Sequence, residues 1–179
     1  MNPSQKGAIA ETAVLYEATK HGIVVYRPAV EGARCDMIFE VGQRLIRVQC
    51  KWARLLDQVV EVRARTCRRG PNGTYIRGTY STDEVDAIAA YCMGNDTCYL
   101  LPLALFGSQV ALYLRLSAAR NNQRRLVHWA EHYHLGAIAQ LGERDTGSVE
   151  VVGSSPTSSI ARPPSLETAL FSAEGVVPG

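Results

Sequence analysis

Three polar side chains with complementary chemistry lie on two neighbouring segments near the start of the chain. Asp36 opens residues 36–40, while Gln49 and Lys51 lie two positions apart within residues 45–51. Alternate residues of a β-strand point to the same face, so Gln49 and Lys51 share a face if their segment is a strand. A carboxylate, a carboxamide and an ammonium group on one sheet face suit metal-assisted hydrolysis of a phosphodiester bond.

The residues between these two segments predict how they come together. Residues 41–43 are a short Val-Gly-Gln turn, and a turn of this length joins antiparallel strands into a hairpin. The fold-back of the hairpin would bring Asp36 near Lys51. On the opposite face of the second strand, Val48 and Cys50 would point into the core.

A helix predicted over residues 4–21 adds a fourth candidate side chain. Ser4 can cap the helix and Gly22 follows its last residue. Glu11 lies in the middle of the helix, with small alanine residues around it. Small neighbours let a helix approach a sheet closely, so we expect Glu11 to reach over the ends of the strands.

These four side chains match the needs of a magnesium-dependent phosphodiester hydrolase. Mg²⁺ prefers hard oxygen ligands, which Asp36 and Glu11 supply. Gln49 offers a carbonyl oxygen as a further ligand or positions a water molecule. Lys51 orients the nucleophile or stabilises the charge on the pentavalent phosphate. The plainer interpretations are that Glu11 is a solvated helix residue and that Asp36 and Lys51 form a cross-strand ion pair.

The remaining hydrophobic patterns predict a domain of mixed secondary structure. In residues 59–66, Val60, Val62 and Ala64 alternate with Glu61, Arg63 and Arg65, so the first set should face the core and the second set the solvent. Further strands are predicted over residues 23–27, 85–91, 97–102 and 110–116, and a closing helix over residues 122–134. Together these elements predict an α/β (α+β) domain in which helices flank a mixed β-sheet.

The distribution of charge favours nucleic acid as the partner. The formal net charge is only +2, but residues 1–135 carry 17 basic against 12 acidic side chains. Basic and aromatic residues interleave in one stretch and could contact phosphates from a hairpin that enters a DNA groove, although solvated arginines are also common. The candidate DNA-binding residues are Arg63, Arg65, Arg68, Arg69, Tyr75, Arg77 and Tyr80.

Cysteine, histidine and hydropathy patterns exclude several other classes. The five cysteines form no Cys-x-x-Cys pair, so we expect reduced thiols rather than disulfides or a zinc site. His128 and His132 have a zinc-like i, i+4 spacing, but without an acidic or cysteine partner we interpret them as surface residues. No apolar run approaches the roughly 20 residues that span a bilayer, and no apolar signal-peptide core follows Met1, so we expect a cytoplasmic protein without a membrane partner.

The last part of the chain differs in origin from the rest. Residues 136–160 look like a translated tRNA gene: codons for Ala139-Gln140 and Glu143-Arg144 can supply the two halves of a stem, and Gly153-Ser154 can be GGT-TCG, the usual entry to a T-loop. Residues set by RNA pairing are not selected for protein packing. We therefore expect a domain over residues 1–135 and a poorly ordered, dispensable tail over residues 136–179.

Three short motifs together resemble a known superfamily. Lys6-Gly7-x-x-Ala10-Glu11, Arg34-x-Asp36 and Gln49-Cys50-Lys51 resemble the PD-(D/E)xK nucleases, in particular the small homing endonucleases associated with group I introns, where a Gln-x-Lys form occurs. The resemblance covers roughly residues 5–133. It implies a restriction-endonuclease-like core, magnesium dependence and cleavage of double-stranded DNA. By matching position, it implies that the active-site residues are Glu11, Asp36, Gln49 and Lys51.

Two positions depart from the superfamily pattern. Cys35 stands before Asp36 in place of proline, and Gln49 stands in place of a carboxylate. The second change removes a negative charge from the metal site, so metal binding should be weaker. We expect a site-specific homing endonuclease that is a homo-oligomer, since symmetry extends the contact of a small protein with a long DNA site. The alternatives are a junction resolvase or repair nuclease on the same core, or a catalytically inactive DNA-binding protein.

Overall fold

A computed structural model of the protein describes residues 1–30, 32–69, 72–117, 127–139 and 170. The chain begins with helix α1, Pro3–Lys20. The predicted helix is confirmed, but its cap is Asn2 rather than Ser4. The Asn2 side chain accepts a hydrogen bond from the Gln5 N–H at 2.8 Å, and the Gln5 side chain accepts one from the Asn2 N–H at 3.0 Å. This reciprocal capping box, with proline at the first helical position, fixes where the helix starts.

Eleven strands follow in the described residues. They are β1 Val24–Tyr26, β2 Met37–Val41, β3 Arg44–Trp52, β4 Arg54–Leu56, β5 Val59–Arg63, β6 Arg65–Arg69, β7 Tyr75–Thr79, β8 Ala87–Cys92, β9 Thr97–Pro102, β10 Ala111–Arg115 and β11 His128–Trp129.

The main sheet has five strands in the order β1-β2-β3-β8-β9. Its strands are antiparallel except for the β3–β8 pair, which is parallel, so the sheet is mixed as predicted. The predicted hairpin is confirmed as β2 and β3, with Gly42 at a φ of 61° in the turn. Helix α1 packs across β3 and β8 and buries Ala10, Val14 and Ala18 against this sheet.

A second sheet of four strands has the order β11-β10-β5-β4, and β6 and β7 form a separate two-stranded ribbon. The predicted strand over residues 59–66 is divided between β5 and β6 at Ala64, whose N–H bonds to the Val110 carbonyl at 3.0 Å. Val60, Val62 and Ala64 are buried as expected. The prediction that Glu61 faces the solvent is wrong. Arginine and tyrosine side chains cover its carboxylate.

The closing helix predicted over residues 122–134 is wrong where the structure describes it. Residues 128–129 form β11, which pairs in parallel with β10, and Trp129 has an extended backbone with φ −79° and ψ 129°. Two short 3₁₀ turns follow, Ala130–Tyr133 and Leu135–Ile138. Strand pairing satisfies the backbone at residues 128–129, and the turns bury Ala130 and Tyr133 without a helix. Residues 122–126 lie outside the described residues.

The cysteines and the histidine pair differ in exposure: His132 is exposed, whereas His128 is only partly exposed. All five cysteines are free; Cys50, Cys92 and Cys98 are buried, whereas Cys35 is partly exposed and Cys67 exposed. His128 lies 2.9 Å from the Tyr133 hydroxyl, and no cluster of three or more His, Cys, Asp or Glu side chains suited to a metal occurs in the described residues. No helix in the same residues is long and apolar enough to cross a membrane.

The position of the C-terminal boundary can be tested by truncation. The turn Leu135–Ile138 packs against α1, and Leu135 and Ile138 are fully buried, so residues just beyond 135 contribute to the core. Residues 140–169 and 171–179, which hold most of the predicted tail, lie outside the described residues, and Leu170 packs against the core.

We therefore expect a chain ending at Ala139 to be more stable than one ending at Leu135. The shorter chain loses the burial of Ile138, which is worth about 2 kcal/mol of unfolding free energy. Urea denaturation of both chains measures the difference. Both lack Leu170, so its loss cancels in the comparison. Equal midpoints would show that the turn after Leu135 contributes nothing to stability.

Candidate active site

Asp36 is fixed at the start of the hairpin by the strand beside it. Its N–H donates to the Val48 carbonyl at 2.9 Å, which extends the β2–β3 pairing by one residue. Its Oδ2 atom accepts a hydrogen bond from the Cys50 N–H at 2.8 Å and another from the Gln49 side-chain amide. The hairpin thus brings Asp36 and Gln49 into direct contact.

The environment of Asp36 works against its ionisation. Burial raises the pKa of the carboxyl, and the Cys50 N–H and the positive charges of Lys51 and Arg27 offset this only in part. A carboxylate that is desolvated without full compensation gains stability from a nearby cation. The Asp36 carboxylate therefore has the electrostatic character of a cation ligand.

Lys51 is also partly desolvated and contacts one aromatic residue. Its ammonium donates a hydrogen bond to the Tyr80 hydroxyl at 2.6 Å and lies 4.9 Å from the centre of the Tyr80 ring. Burial lowers the pKa of Lys51, and the negative charge of Asp36 opposes that change. The charges of Asp36 and Lys51 therefore interact across the site, as the predicted hairpin requires.

Tyr80 occupies a different place from the one predicted for it. We expected a DNA contact from a hairpin, but its side chain is half-buried against Lys51. Burial, followed by the charge of Asp36, raises the pKa of its hydroxyl, so it stays protonated at neutral pH. Sequence reasoning missed this contact because 29 positions separate the two residues.

Arg47 stabilises the segment that follows Tyr80. Its guanidinium donates to both carboxylate oxygens of Asp86, at 3.0 and 2.7 Å, and to the carbonyls of Thr82 and Asp83. Its N–H also donates to Asp86 at 2.7 Å. Arg47 shares the β3 face of Gln49 and Lys51, so the alternation of that strand was the one sequence signal for this contact.

Glu11 reaches the site from the helix, as predicted. It forms an ion pair with Arg27 at 3.1 Å. Glu11 and Asp36 line one cleft of about 410 Å³, and the loop after β1, including Cys35, also lines it. The structure therefore brings Glu11, Asp36, Gln49 and Lys51 into one region, with the two carboxylates on a shared cleft.

Apart from Tyr80, the candidate DNA-binding residues divide between the ribbon of β6 and β7 and strand β5. The register of the ribbon pairs Arg65 with Thr79, Arg68 with Ile76, Arg69 with Tyr75 and Cys67 with Arg77. Alternation therefore places positions 65, 67, 75 and 79 on one face of the ribbon. Tyr75 is 70 % exposed and Arg65 is exposed. Arg63 lies on β5 instead, where it bonds to Glu61.

The fold is a mixed sheet with one helix packed on it. A carboxylate, an amide and a lysine lie at its first hairpin. Together these features define a class of nuclease. The sequence model of the PD-(D/E)XK endonuclease family matches residues 1–136, and the chain belongs to this family. Its fold is restriction-endonuclease-like, with a single helix before residue 140 in the described part of the chain. The chain is an endonuclease that hydrolyses phosphodiester bonds in DNA.

A solved structure has a similar fold. The structure of a bacterial homing endonuclease, I-Ssp6803I, superimposes with a TM-score of 0.59 and 23 % sequence identity, covering 83 % of this chain and 100 % of that chain. At this identity the likeness is one of fold. Curated proteins give no match. The family resemblance read from the three sequence motifs is confirmed.

PD-(D/E)XK nucleases use divalent metal ions, and the chemistry of this cleft fits one. Two carboxylates, Glu11 and Asp36, line it, and the amide of Gln49 contacts the second of them. Carboxylate and amide oxygens are the ligands that hard divalent cations prefer. The described residues provide no third acidic ligand, which follows from the glutamine at position 49.

Proposed function

We propose that this endonuclease is a magnesium-dependent, site-specific homing enzyme that cuts double-stranded DNA as a homo-oligomer. The observation that carries the proposal is the contact of Asp36 with Gln49, next to Lys51 and on the cleft shared with Glu11. These are the residues at which the motifs resemble the small intron-associated homing endonucleases. The similar fold of a bacterial homing endonuclease supports the same assignment.

Glu11, Asp36 and Gln49 would hold Mg²⁺. The bound ion would neutralise charge on the scissile phosphate and lower the pKa of a bound water. The hydrogen bond from the Cys50 N–H and the backbone pairing of Asp36 with β3 orient the carboxylate in the absence of a ligand. Gln49 supplies no charge, so the affinity for Mg²⁺ depends on the two carboxylates.

Lys51 would act on the substrate itself. Its ammonium interacts electrostatically with Asp36, and it would contact the phosphate or orient the attacking water. Burial makes this charge interact more strongly with a developing negative charge than it would in water. Tyr80 positions the ammonium through the hydrogen bond to its hydroxyl at 2.6 Å. Arg47 stabilises the segment between Tyr80 and β8.

The ribbon of β6 and β7 would contact the DNA duplex. A two-stranded β-ribbon fits the major groove of B-DNA, and the arginine and tyrosine positions on one ribbon face suit phosphates and base edges. One active site cuts one strand at a time, so a double-strand break needs two copies of the chain. A symmetric homo-oligomer provides them and extends the recognised sequence.

Cleavage of supercoiled plasmids that carry candidate target sequences, with and without Mg²⁺, tests the proposal. We expect linear product at one site, only with the metal present. Preferential cutting of four-way junctions over linear duplex would favour a resolvase instead. Binding without cutting would favour an inactive DNA-binding protein. The genomic DNA around the gene supplies the candidate targets, and the insertion site restored by joining the two flanking sequences without the intron should be cut.

Replacing Arg65 with alanine should weaken binding to all duplexes by a similar factor. Arg65 is exposed at the base of the ribbon, and a phosphate contact carries no sequence information. The slope of log Kd against log salt should fall by about 0.9, the value for one lost phosphate contact. Fluorescence anisotropy without divalent metal measures it. Lys20→Ala is the control, since Lys20 is an exposed cation at the far end of α1. Identical slopes for the two variants would remove Arg65 from the interface.

A further inference from the structure

A buried carboxylate lies beneath exposed arginines on the second sheet. Of the residues that the structure describes, Glu61 is the one buried charged side chain, with 3 % of its surface exposed. The strand register places it in a row with Arg54 on β4 and Tyr113 on β10. Burying a charge is costly unless it is paired and hydrogen-bonded, so this arrangement needs a physical reason.

The neighbours of Glu61 use both of its carboxylate oxygens. Oε1 accepts from the Arg63 guanidinium at 2.8 Å and from the Tyr113 hydroxyl at 3.3 Å, and Oε2 accepts from the Arg54 guanidinium at 3.4 Å. The hydrogen bond from Arg63, ahead of the other contacts, lowers the pKa of Glu61. The carboxylate is therefore ionised, and both of its oxygens accept hydrogen bonds. It binds two guanidinium groups at once.

Both arginine side chains are exposed to solvent although they are hydrogen-bonded to Glu61. Their side chains are 60 % and 58 % exposed, for Arg54 and Arg63 respectively, although Glu61 beneath them is buried. Each donates to Glu61 through one terminal nitrogen, and a guanidinium has five N–H donors in a fixed plane. Most donors of both groups therefore remain available to a ligand on the solvent side.

This row of side chains lies next to the ribbon. Arg63 ends β5, Ala64 is buried, and Arg65 begins β6, so Arg63 and Arg65 are two residues or about 6.6 Å apart along the strand direction. Arg115, two residues beyond Tyr113 on β10, adds a further positive charge to the same face. Positively charged residues therefore occur both on the four-stranded sheet and at the base of the ribbon.

We propose that Arg54 and Arg63, held by Glu61 and Tyr113, form a second contact with the DNA backbone, outside the cleavage site and beside the ribbon. The ligand is a phosphodiester group, whose oxygens match the planar fork of a guanidinium. Glu61 is a positioning residue: it lowers the net positive charge of the surface but fixes the two forks in orientation. The inference rests on the proposed action of this chain on duplex DNA.

Glu61→Gln separates positioning from simple electrostatics. The variant removes one negative charge from the surface, so charge alone would tighten DNA binding. A neutral amide holds the guanidinium groups less firmly than a carboxylate, so the proposal expects several-fold weaker binding. The measurement is fluorescence anisotropy with a duplex of arbitrary sequence and no divalent metal. Circular dichroism and thermal unfolding verify that the variant is folded.

Two substitutions at Arg54 keep the test decisive if Glu61→Gln does not fold. Arg54→Ala should lower the slope of log Kd against log salt by about 0.9. Arg54→Lys keeps the charge but loses the fork, so it should weaken binding while leaving that slope unchanged. Lys20→Ala, which removes an exposed charge on α1, should leave the slope and the affinity as in the unmodified protein.

Three results would overturn the inference. They are a folded Glu61→Gln variant that binds DNA as tightly as the unmodified protein or more tightly, Arg54→Ala with an unchanged salt slope, and Arg54→Lys with unchanged affinity. If the unmodified protein binds and cuts duplex DNA while these results are found, only the second backbone contact is wrong. If the unmodified protein neither binds nor cuts duplex DNA, the proposed function fails together with the inference.

Discussion

Replacing Lys51 with methionine should slow DNA cleavage by a factor of about 10² to 10³ and leave DNA binding in place. Removing one preorganised group that stabilises transition-state charge typically costs a factor of about 10² to 10³ in rate. The charge of Lys51 interacts with the Asp36 carboxylate, and its partial burial strengthens its interaction with a phosphate. Single-turnover cleavage of a plasmid substrate at saturating protein measures the loss.

The same substitution should stabilise the fold. Burial lowers the pKa of Lys51, so the folded chain binds that proton less tightly than the unfolded chain does. Stability contributed by this group is therefore lost as the pH falls through its folded pKa, and at lower pH the ionised lysine carries the full cost. Methionine keeps the length of the side chain without the charge, so thermal unfolding of Lys51→Met should shift upward.

Lys20→Met is the matched control for both measurements. Lys20 is exposed and forms only a surface ion pair with Glu17 in the described structure, at 3.4 Å. The control should cut DNA at the normal rate and show little change in unfolding temperature. Unimpaired cleavage by Lys51→Met would contradict the assigned active site. A lower unfolding temperature with lost cleavage would show that the lysine is structural.

Replacing Asp36 with asparagine should abolish cleavage, and it should remove the response of the protein to Mg²⁺. An amide at this position can still accept the hydrogen bond from the Cys50 N–H, so the hairpin is retained. The cleft keeps only the Glu11 carboxylate. We expect Mg²⁺ to raise the unfolding temperature of the unmodified protein through preferential binding to the folded state, and not to raise that of Asp36→Asn.

The pH dependence of stability gives Asp36 a signature that a purely structural aspartate would lack. Burial raises its pKa from 3.8, so the folded state favours the protonated form. Stability contributed by this group is full below the unfolded pKa and is lost as the pH rises through the raised folded pKa. In the absence of metal, Asp36→Asn should match the unmodified protein at low pH and be more stable at neutral pH.

Urea denaturation at pH 3 and pH 7 distinguishes the possibilities. A carboxylate that mainly stabilises the hairpin would give the opposite result, with Asp36→Asn less stable at neutral pH. Glu11→Gln is the companion variant, because it removes the other carboxylate of the cleft from an exposed ion pair with Arg27. It should also lose the stabilisation by Mg²⁺. A strong Mg²⁺ response in both variants would place the metal elsewhere.

Local sequence patterns were sufficient to predict the elements that carry the active site. Alternation along residues 45–51 separated Gln49 and Lys51 from the buried Val48 and Cys50, and the short turn at residues 41–43 set the hairpin that joins Asp36 to Gln49. The helix that presents Glu11 also formed where its amphipathic spacing indicated. In each case neighbours within one element determine the structure.

The predictions that were wrong concern residues whose structure depends on contacts with other strands. Glu61 has the sequence position of an exposed residue, and it is buried because Arg54 and Tyr113 reach it from adjacent strands. The spacing of residues 127–134 resembles a helix, but β10 offers a strand partner at its edge and the segment becomes β11 and 3₁₀ turns. Strand formation depends on such partners more than on intrinsic propensity.

The sequence by itself determined the family, and it predicted the residues of the candidate active site. Short motifs and strand alternation encode which side chains share a face, and the hairpin between them is local. Only the tertiary structure determined the long-range contacts that these and other polar side chains make. Tyr80 on Lys51, Arg47 on Asp86 and Arg54 on Glu61 join residues far apart in the chain or on different strands. Such contacts follow from the packing of whole elements, and no local pattern specifies them.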